Sequence, residues 1–344
     1  MRTRFIATAV LATLVLVSCS GGDDGSSQAD TTTTTADAAT VAVKQSAGCD
    51  QTAAIATGLE RITTTSGGQE RWYYRQVPTT GTQPYPVVLD LHGYAEGAQV
   101  HLMMSDLGNF GDQKGFITIT PQGQGAVARW DTDLESDDVA FIGDFLDEVE
   151  DTLCVDRNRI FVTGLSNGAF MTSALSCAYA DRIAAAAPIA GIRGIDDCDP
   201  SRPVPVIAFH GTADTFVAYD GGVGESVADL PAPDGSGRTL GEQGVSAAQP
   251  TGPTIEEITA GWAERNGCET TPTETAVAAD VTLLTFPCPK GAEAELYRIE
   301  GGGHSWPGSE FSKTVVAVVG PTTTSVSANE LMWEFFADHP LVGA

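Results

Sequence analysis

Short apolar runs alternate along the chain with segments whose apolar residues repeat at helical spacing. The runs that predict strands are 71–77, 86–91, 116–120, 160–162, 184–190, 205–209 and 296–300. Helical spacing is clearest in 137–153, which begins with two aspartates, and further helices are predicted at 100–110, 169–178, 254–266 and 328–336. Strands that alternate with helices predict an α/β fold, with a mostly parallel central sheet covered by helices on both faces.

One junction between a strand and a helix carries candidate chemistry. The run 160–162 leads into Gly164-Leu-Ser-Asn-Gly168, and the helical segment 169–178 follows at once. A strand, G-x-S-x-G and a helix form the arrangement called a nucleophile elbow, in which the serine lies at the tip of a sharp turn. A G-x-S-x-G without this context is also compatible with a glycine-rich turn. The flanking elements favour Ser166 as a nucleophile.

A serine hydroxyl is a weak nucleophile, so it needs a base and a group that orients the base. Asp214 follows the predicted strand 205–209, and His304 follows the strand 296–300 after three glycines. The other four histidines lie before glycines at strand ends, in a predicted helix or near the C-terminus. The expected triad is therefore Ser166, Asp214 and His304. The alternatives are a turn-forming aspartate and a turn histidine.

The backbone after two strands supplies the expected oxyanion hole. One donor is the N–H of Asn167, directly after the serine, and the other is the N–H of Tyr94, in the loop after strand 86–91. Three aromatic residues in loops at the same edge are expected to line the substrate site, with plain core or loop packing as the alternative. They are Trp130, Tyr219 and Trp306.

Composition limits the class of protein. The 344 residues are 42% apolar, which is enough for one large domain, expected at 47–344. A formal charge of −27 argues against nucleic-acid binding, because phosphate contacts need clustered Lys and Arg. Two segments, 221–253 and 309–326, do not fit the core and leave from the catalytic edge. Each is either a mobile lid or a solvated insertion without a role.

The N-terminal segment has the pattern of an export signal. Two arginines precede an apolar stretch at 5–17, and Leu16-Val-Ser-Cys19 resembles a bacterial lipobox. We expect residues 1–18 to be a lipoprotein signal peptide, Cys19 to be lipidated and 19–46 to be a flexible tether rich in Thr, Ser, Gly and Asp. An ordinary secretory signal or an uncleaved anchor is the alternative. The expected location is extracellular or at the cell surface, with membrane contact only through the lipid.

Six cysteines remain besides Cys19, and an even number in an exported chain favours disulfides. Six cysteines allow 15 pairings. Proximity in sequence favours Cys268–Cys288 and Cys177–Cys198, which leaves Cys49–Cys154. The chain has no C-x-x-C motif or histidine-rich cluster, so no metal site is expected.

Several motifs together resemble a known family. They are Leu91-His-Gly93, the stretch from Cys154 to Met171, Phe209-His-Gly-Thr-Ala-Asp214, Trp262-x-x-Arg-Asn-Gly-Cys268 and Gly301-Gly-Gly-His-Ser-Trp-Pro-Gly308. From about residue 71 to the last helix, the chain is similar to the secreted esterases that group polyhydroxybutyrate depolymerases with feruloyl and acetylxylan esterases. The resemblance implies an α/β-hydrolase fold, a Ser166–His304–Asp214 triad and no cofactor.

The resemblance also implies a serine esterase that forms an acyl-enzyme. The first expectation for its substrate is a 3-hydroxyalkanoate, as in polyhydroxybutyrate depolymerases, and the alternative is a feruloyl or acetylxylan ester. No fibronectin-like linker or polymer-binding domain is recognisable, which favours soluble oligomers or small esters. A hypothesis from another class is a catalytically silent lipoprotein that binds a surface component.

Overall fold

A computed structural model describes residues 41–51, 55–246 and 252–342, and the compact unit begins at Val41. The predicted signal peptide, Cys19 and most of the predicted tether lie outside these residues. The predicted domain start at residue 47 is wrong. Gln45 pairs with Asp156, and the buried Ser46 hydroxyl donates to the carbonyl of Leu153 at 2.6 Å. The last six residues of the predicted tether are therefore part of the folded unit.

The described part of the chain contains a single ten-stranded sheet. The strands are β1 (Gly58–Ser66), β2 (Gln69–Val77), β3 (Tyr85–Leu91), β4 (Ile117–Pro121), β5 (Val155–Leu165), β6 (Ala186–Ile189), β7 (Val206–Gly211), β8 (Thr273–Ala278), β9 (Val281–Phe286) and β10 (Ala294–Ile299). Their order is β1-β2-β4-β3-β5-β6-β7-β10-β9-β8. The six central strands are parallel, and two antiparallel strands extend the sheet at each side.

Helices cover both faces of the sheet. They are α1 (Ala98–Ser105), α2 (Leu107–Lys114), α3 (Asp137–Thr152), α4 (Asn167–Ala178), α5 (Ile255–Arg265), α6 (Glu310–Thr314), α7 (Val316–Val319) and α8 (Ala328–Asp338). Alternate residues of β3 enter different cores: Leu89 packs in the cluster that contains α3, and Val88 packs in the cluster that contains α8. This arrangement confirms the predicted fold class. Among the described residues, no helix has the length and apolar character needed to cross a membrane.

The start of α3, the longest helix described, follows from its local sequence. Ser136 caps α3 by accepting the N–H of Val139, and Asp137 and Asp138 lie in the first turn, where the helix dipole favours negative charge. Asp138 also forms a buried ion pair with Arg71 of β2 at 2.7 Å. The apolar face of the helix is buried against the sheet.

Several elements differ from the sequence-based prediction, and the first is β1, which was not predicted. The helix predicted at 100–110 is two helices, because Asp106 adopts a left-handed conformation with φ of 52°. The hairpin of β8 and β9 was not predicted, since β8 is almost entirely exposed and its sequence lacks an apolar face. The predicted insertion 309–326 contains α6 and α7.

Three disulfides join the six described cysteines. They are Cys49–Cys154, Cys177–Cys198 and Cys268–Cys288, which is the pairing that the sequence favours. The first spans 105 residues and ties the N-terminal arm to the start of β5. The other two span 21 and 20 residues.

The longest disulfide loop should contribute most to stability, because closing a longer loop removes more entropy from the unfolded chain. We expect Cys49→Ser/Cys154→Ser to lower the free energy of unfolding by about 5 kcal/mol, and Cys177→Ser/Cys198→Ser by about 3 kcal/mol. Urea denaturation of the two double variants, with the wild type as reference, measures both values. An equal or smaller loss for the 49–154 pair would contradict this ranking.

Candidate active site

The three residues of the expected triad follow three parallel strands at one edge of the sheet. Ser166 comes directly after β5, Asp214 lies three residues after β7 and His304 lies five residues after β10. The loop with Tyr94 follows β3, the neighbour of β5. Because the carboxyl ends of parallel strands meet at one edge, the topology gathers these loops.

Ser166 lies in a strained turn between β5 and α4. Its φ of 59° and ψ of −119° are unfavourable for a residue with a side chain, and its N–H donates to the carbonyl of Ile189 at 2.9 Å. The turn requires close packing on β3: a Cβ at Gly168 would overlap the carbonyl oxygen of Leu91, and one at Gly164 would lie 2.7 Å from it. The strain therefore holds the serine half-exposed at the tip.

Asp214 and His304 form a buried hydrogen-bonded pair. Oδ1 of Asp214 accepts the backbone N–H groups of Phe216 and Val217 at 2.8 and 3.0 Å. Its Oδ2 lies 2.8 Å from Nδ1 of His304. The carboxylate therefore both stabilises its own turn and orients the imidazole, so the turn role and the triad role are compatible. With Nδ1 engaged, Nε2 is the nitrogen that can take up a proton.

A second histidine supports the same carboxylate. Nε2 of His210 lies 3.3 Å from Oδ2 of Asp214 and 2.9 Å from the carbonyl of Val217. Burial alone would raise the pKa of Asp214, but the charge of His304 and hydrogen bonds from His210 and His304 outweigh burial. They hold the pKa of this carboxyl well below its usual range. Asp214 is consequently ionised at neutral pH.

Hydrogen bonds hold both segments that supply the expected oxyanion donors. In the loop after β3, the N–H of Gly93 donates to Oε2 of Glu96 at 2.6 Å, and the hydroxyl of Tyr94 donates to the carbonyl of Pro231 at 2.8 Å. At the start of α4, the side chain of Asn167 accepts the N–H of Trp130 at 2.7 Å and donates to its carbonyl at 3.1 Å. That the backbone N–H groups of Tyr94 and Asn167 bind the oxyanion stays a prediction.

Ser166 and His304 line one cavity of about 300 Å³. Its wall is mainly apolar, and both predicted insertions contribute to it. The apolar residues include Met104, Phe216, Leu230, Phe311, Val315 and Val319. The carboxylate of Glu96 is the charged group in the lining. Such a wall suits an uncharged substrate group with apolar surface.

The three aromatic residues expected to line the substrate site do not reach this cavity, and that expectation is wrong. Trp130 is buried against the ring of His92, and its indole N–H donates to the carbonyl of His92 at 2.9 Å. Trp306 is buried in the core, and its indole N–H donates to Asn329 at 2.8 Å. The hydroxyl of Tyr219 donates to Glu256 at 2.8 Å. The polar group of each side chain is therefore hydrogen-bonded to another residue of the protein.

A buried charged cluster beside the loop after β3 was missed by the sequence analysis. It consists of Asp90, Glu96 and His101, and its bonds join β3 to α1. Burial would lower the pKa of His101, but the two carboxylates raise it to about 10. Burial would raise the pKa of Glu96, but the charge of His101 and hydrogen bonds from His101 and Gly93 together lower it. A lone aspartate within the apolar run 86–91 was the available signal.

Comparison with known proteins finds relatives whose names describe esterases. No family model matches the chain. Feruloyl esterase B of Piromyces equi is 33% identical over 176 residues, which cover 50% of this chain and 29% of that protein. The "Putative esterase NocK" of Nocardia uniformis subsp. tsuyamanensis is 28% identical over 263 residues, or 73% of each chain. The chain thus spans less than a third of the first relative.

The fold is shared with a solved structure. Acetyl xylan esterase from Aspergillus awamori superposes with a TM-score of 0.52 at 16% identity, and the match covers 76% of this chain and 98% of that one. This likeness concerns the fold, while the relatives above are similar in sequence. The chain is thus similar in sequence to esterases, and it shares the α/β-hydrolase fold.

Proposed function

We propose that this protein is a carboxylic ester hydrolase in which Ser166 is the nucleophile, His304 the general base and Asp214 the group that orients it. The observation that carries the proposal is the buried 2.8 Å bond between His304 and Asp214, beside a cavity that the strained Ser166 and His304 both line. A merely structural serine has no need of this strain or of a histidine held in one tautomer.

In the first step, Oγ of Ser166 attacks the ester carbonyl while Nε2 of His304 takes the hydroxyl proton. Asp214 stabilises the imidazolium that forms, and the N–H groups of Tyr94 and Asn167 bind the oxyanion. When the tetrahedral intermediate collapses, the ester C–O bond breaks. His304 then protonates the leaving alcohol, and the acyl group stays on Ser166.

The second step reverses these roles with water as the nucleophile. His304 removes a proton from water as the oxygen attacks the acyl carbon, and the same two N–H groups bind the second oxyanion. Collapse breaks the bond to Ser166, which takes back the proton from His304. The products are a carboxylic acid and the free enzyme. This chemistry needs only the side chains and backbone groups already named.

For the substrate, we favour a neutral aromatic or short acyl ester of the feruloyl or acetylxylan type over a hydroxyalkanoate oligomer. The cavity wall is apolar, and its charged group is the carboxylate of Glu96. A hydroxyalkanoate oligomer carries its own terminal carboxylate, which this wall and a net charge of −27 would repel. The names of the relatives point in the same direction.

We also propose that the protein acts outside the cytoplasm. Three disulfides support this location, because such bonds persist in oxidising compartments. The signal peptide, the lipidated Cys19 and membrane contact through the lipid are part of the same proposal.

Replacing the nucleophile should abolish hydrolysis without unfolding the protein. We expect Ser166→Ala to lower kcat on a soluble aryl ester by about five to six orders of magnitude. A matched control is Ser176→Ala on α4, the helix that follows Ser166. The hydroxyl of Ser176 donates to the carbonyl of Thr172, and this variant should keep its activity. Kinetics and labelling with a fluorophosphonate test this pair. Activity retained by Ser166→Ala would exclude the assignment.

The free energy of unfolding at acidic pH tests whether Asp214 is ionised in the folded protein. Because its pKa is lower in the folded protein than its ordinary 3.8, ionised Asp214 contributes stability above pH 3.8, and this contribution is lost as the pH falls through the folded value. Asp214→Asn should therefore be less stable than the wild type at pH 6, and the gap should narrow below pH 3.8. Urea denaturation at pH 6 and pH 3 measures it. A gap of equal size at both values would contradict the prediction.

The substrate class can be separated by a direct comparison. We expect kcat/KM on methyl ferulate to exceed that on a 3-hydroxybutyrate trimer by more than about tenfold, because the trimer brings a carboxylate to an apolar wall. Ser166→Ala provides the background rate for each ester. A preference for the trimer would restore the depolymerase-like alternative. No hydrolysis of either ester would favour a silent binding protein if Ser166 also resists the fluorophosphonate.

A further inference from the structure

The buried charged cluster beside the active-site loop has an arrangement that fixes its protonation. Nε2 of His101 lies 2.7 Å from Oδ1 of Asp90, and Nδ1 lies 3.1 Å from both oxygens of Glu96. The side chains of Asp90 and His101 are fully buried, and that of Glu96 is 10% exposed. Since each ring nitrogen faces a carboxylate, each carries a proton, and His101 is an imidazolium.

Every remaining strong acceptor in the cluster has a described donor. The hydroxyl of Ser105 donates to Oδ2 of Asp90 at 2.6 Å. The N–H of Gly93 donates to Oε2 of Glu96 at 2.6 Å. Buried charges are costly unless they are paired and hydrogen-bonded, so this degree of satisfaction indicates a cluster with one defined geometry. One of these bonds, from the N–H of Gly93 to Glu96, joins the cluster to the backbone of the loop after β3.

Two hydrogen bonds fix the direction of the next peptide group, which joins Gly93 to Tyr94. The carbonyl oxygen of Gly93 lies 2.7 Å from Nδ1 of His92 and accepts the N–H of Glu96 at 3.3 Å. In a trans peptide the C=O and the following N–H point in opposite directions. Because this carbonyl is engaged with the protein, the N–H of Tyr94 is directed away from it.

Glu96 and Ser166 both lie close to Gly93. An atom at the Cβ position of Gly93 would be 3.1 Å from Oε2 of Glu96 and 3.5 Å from Cβ of Ser166. The loop is also strained, since Ala95 has a φ of 60°. A strained loop holds its shape only where its surroundings determine it, and the two bonds made by Glu96, one through its carboxylate and one through its N–H, restrain Gly93 at both ends.

We propose that Glu96, held by His101, which Asp90 holds in turn, is a positioning residue that fixes the Gly93–Tyr94 peptide so that the N–H of Tyr94 binds the oxyanion. This inference rests on the ester hydrolysis proposed above. The imidazolium has a second role: it offsets part of the negative charge of the two carboxylates, which would otherwise oppose negative charge developing on the substrate nearby.

Two substitutions of Glu96 separate position from charge. Glu96→Ala removes the acceptor of the Gly93 N–H, and we expect kcat to fall about 100-fold with KM changed less than about threefold. Glu96→Gln keeps an oxygen that can accept the Gly93 N–H, so most of the activity should return. The matched control is Glu148→Ala, which removes a carboxylate bonded to Thr64 and Tyr73 away from the site and should leave kcat unchanged.

Inhibition by an aryl trifluoromethyl ketone gives a readout that loss of folding does not move. Such a ketone forms a tetrahedral oxyanion on the nucleophilic serine, so its Ki reports the oxyanion site in the active molecules. We expect Ki for Glu96→Ala to rise by the same factor as kcat/KM falls, and Ki for Glu96→Gln to lie close to the wild type. Titration with a fluorophosphonate counts active sites, which removes any unfolded fraction from each value.

The outcomes distinguish the two proposals. If the wild type hydrolyses esters through Ser166 but Glu96→Ala keeps its kcat and Ki per active site, the positioning role is wrong and the esterase proposal stands. The same holds if kcat falls while Ki is unchanged. If the wild type shows no hydrolysis above Ser166→Ala, the proposed function itself fails.

Discussion

The hydrogen bond between His304 and Asp214 joins segments that lie 90 residues apart, and the rest of the site depends on the conditions that allow it. Both residues follow strands of one parallel sheet, β10 and β7, which are neighbours although 82 residues separate them in sequence. The antiparallel hairpin β8–β9 and helix α5 occupy that interval without disturbing the pairing. The sheet thus converts distant positions in the chain into adjacent loops at one edge.

The walls of the site are held by bonds that do not touch the cavity. Trp130 joins the loop after β4 to His92 and, through its backbone, to Asn167 beside the nucleophile. Trp306 packs edge-on against His101 at 5.6 Å. These residues near the reactive groups therefore hold the structure together. The cavity surface comes mainly from apolar residues of α1, α6 and α7, together with Phe216 and Leu230.

Much of this architecture could be predicted because it depends on strong local patterns. Apolar runs and helical spacing indicate the parallel sheet, and G-x-S-x-G between a strand and a helix marks Ser166. The cavity wall could not be predicted in this way, since Phe311 and Val319 belong to short helices in a segment without clear periodicity. The role of Trp306 was missed for a related reason: its distance from His304 in sequence does not say which way the ring points.

The charged cluster could not be predicted from the sequence for a different reason. Asp90 stands out as a charge in a buried strand, but its partners lie on a separate helix and in a loop, so only the three-dimensional arrangement pairs them. Sequence reasoning placed the boundary of the folded unit too late for the same kind of reason. Ser46 is polar and lies beside a tether-like composition, yet its hydroxyl is buried between Leu153 and Val155.

In the proposed mechanism, Ser166 carries the acyl group between the two steps. The most direct test is to mix the protein with an activated aryl ester of ferulic acid, quench in acid within the first turnover and map the peptides by mass spectrometry. We expect a feruloyl adduct on the peptide that contains Ser166, and none in Ser166→Ala. Hydrolysis that proceeds without this adduct, or with the acyl group on another residue, would rule out Ser166 as the nucleophile.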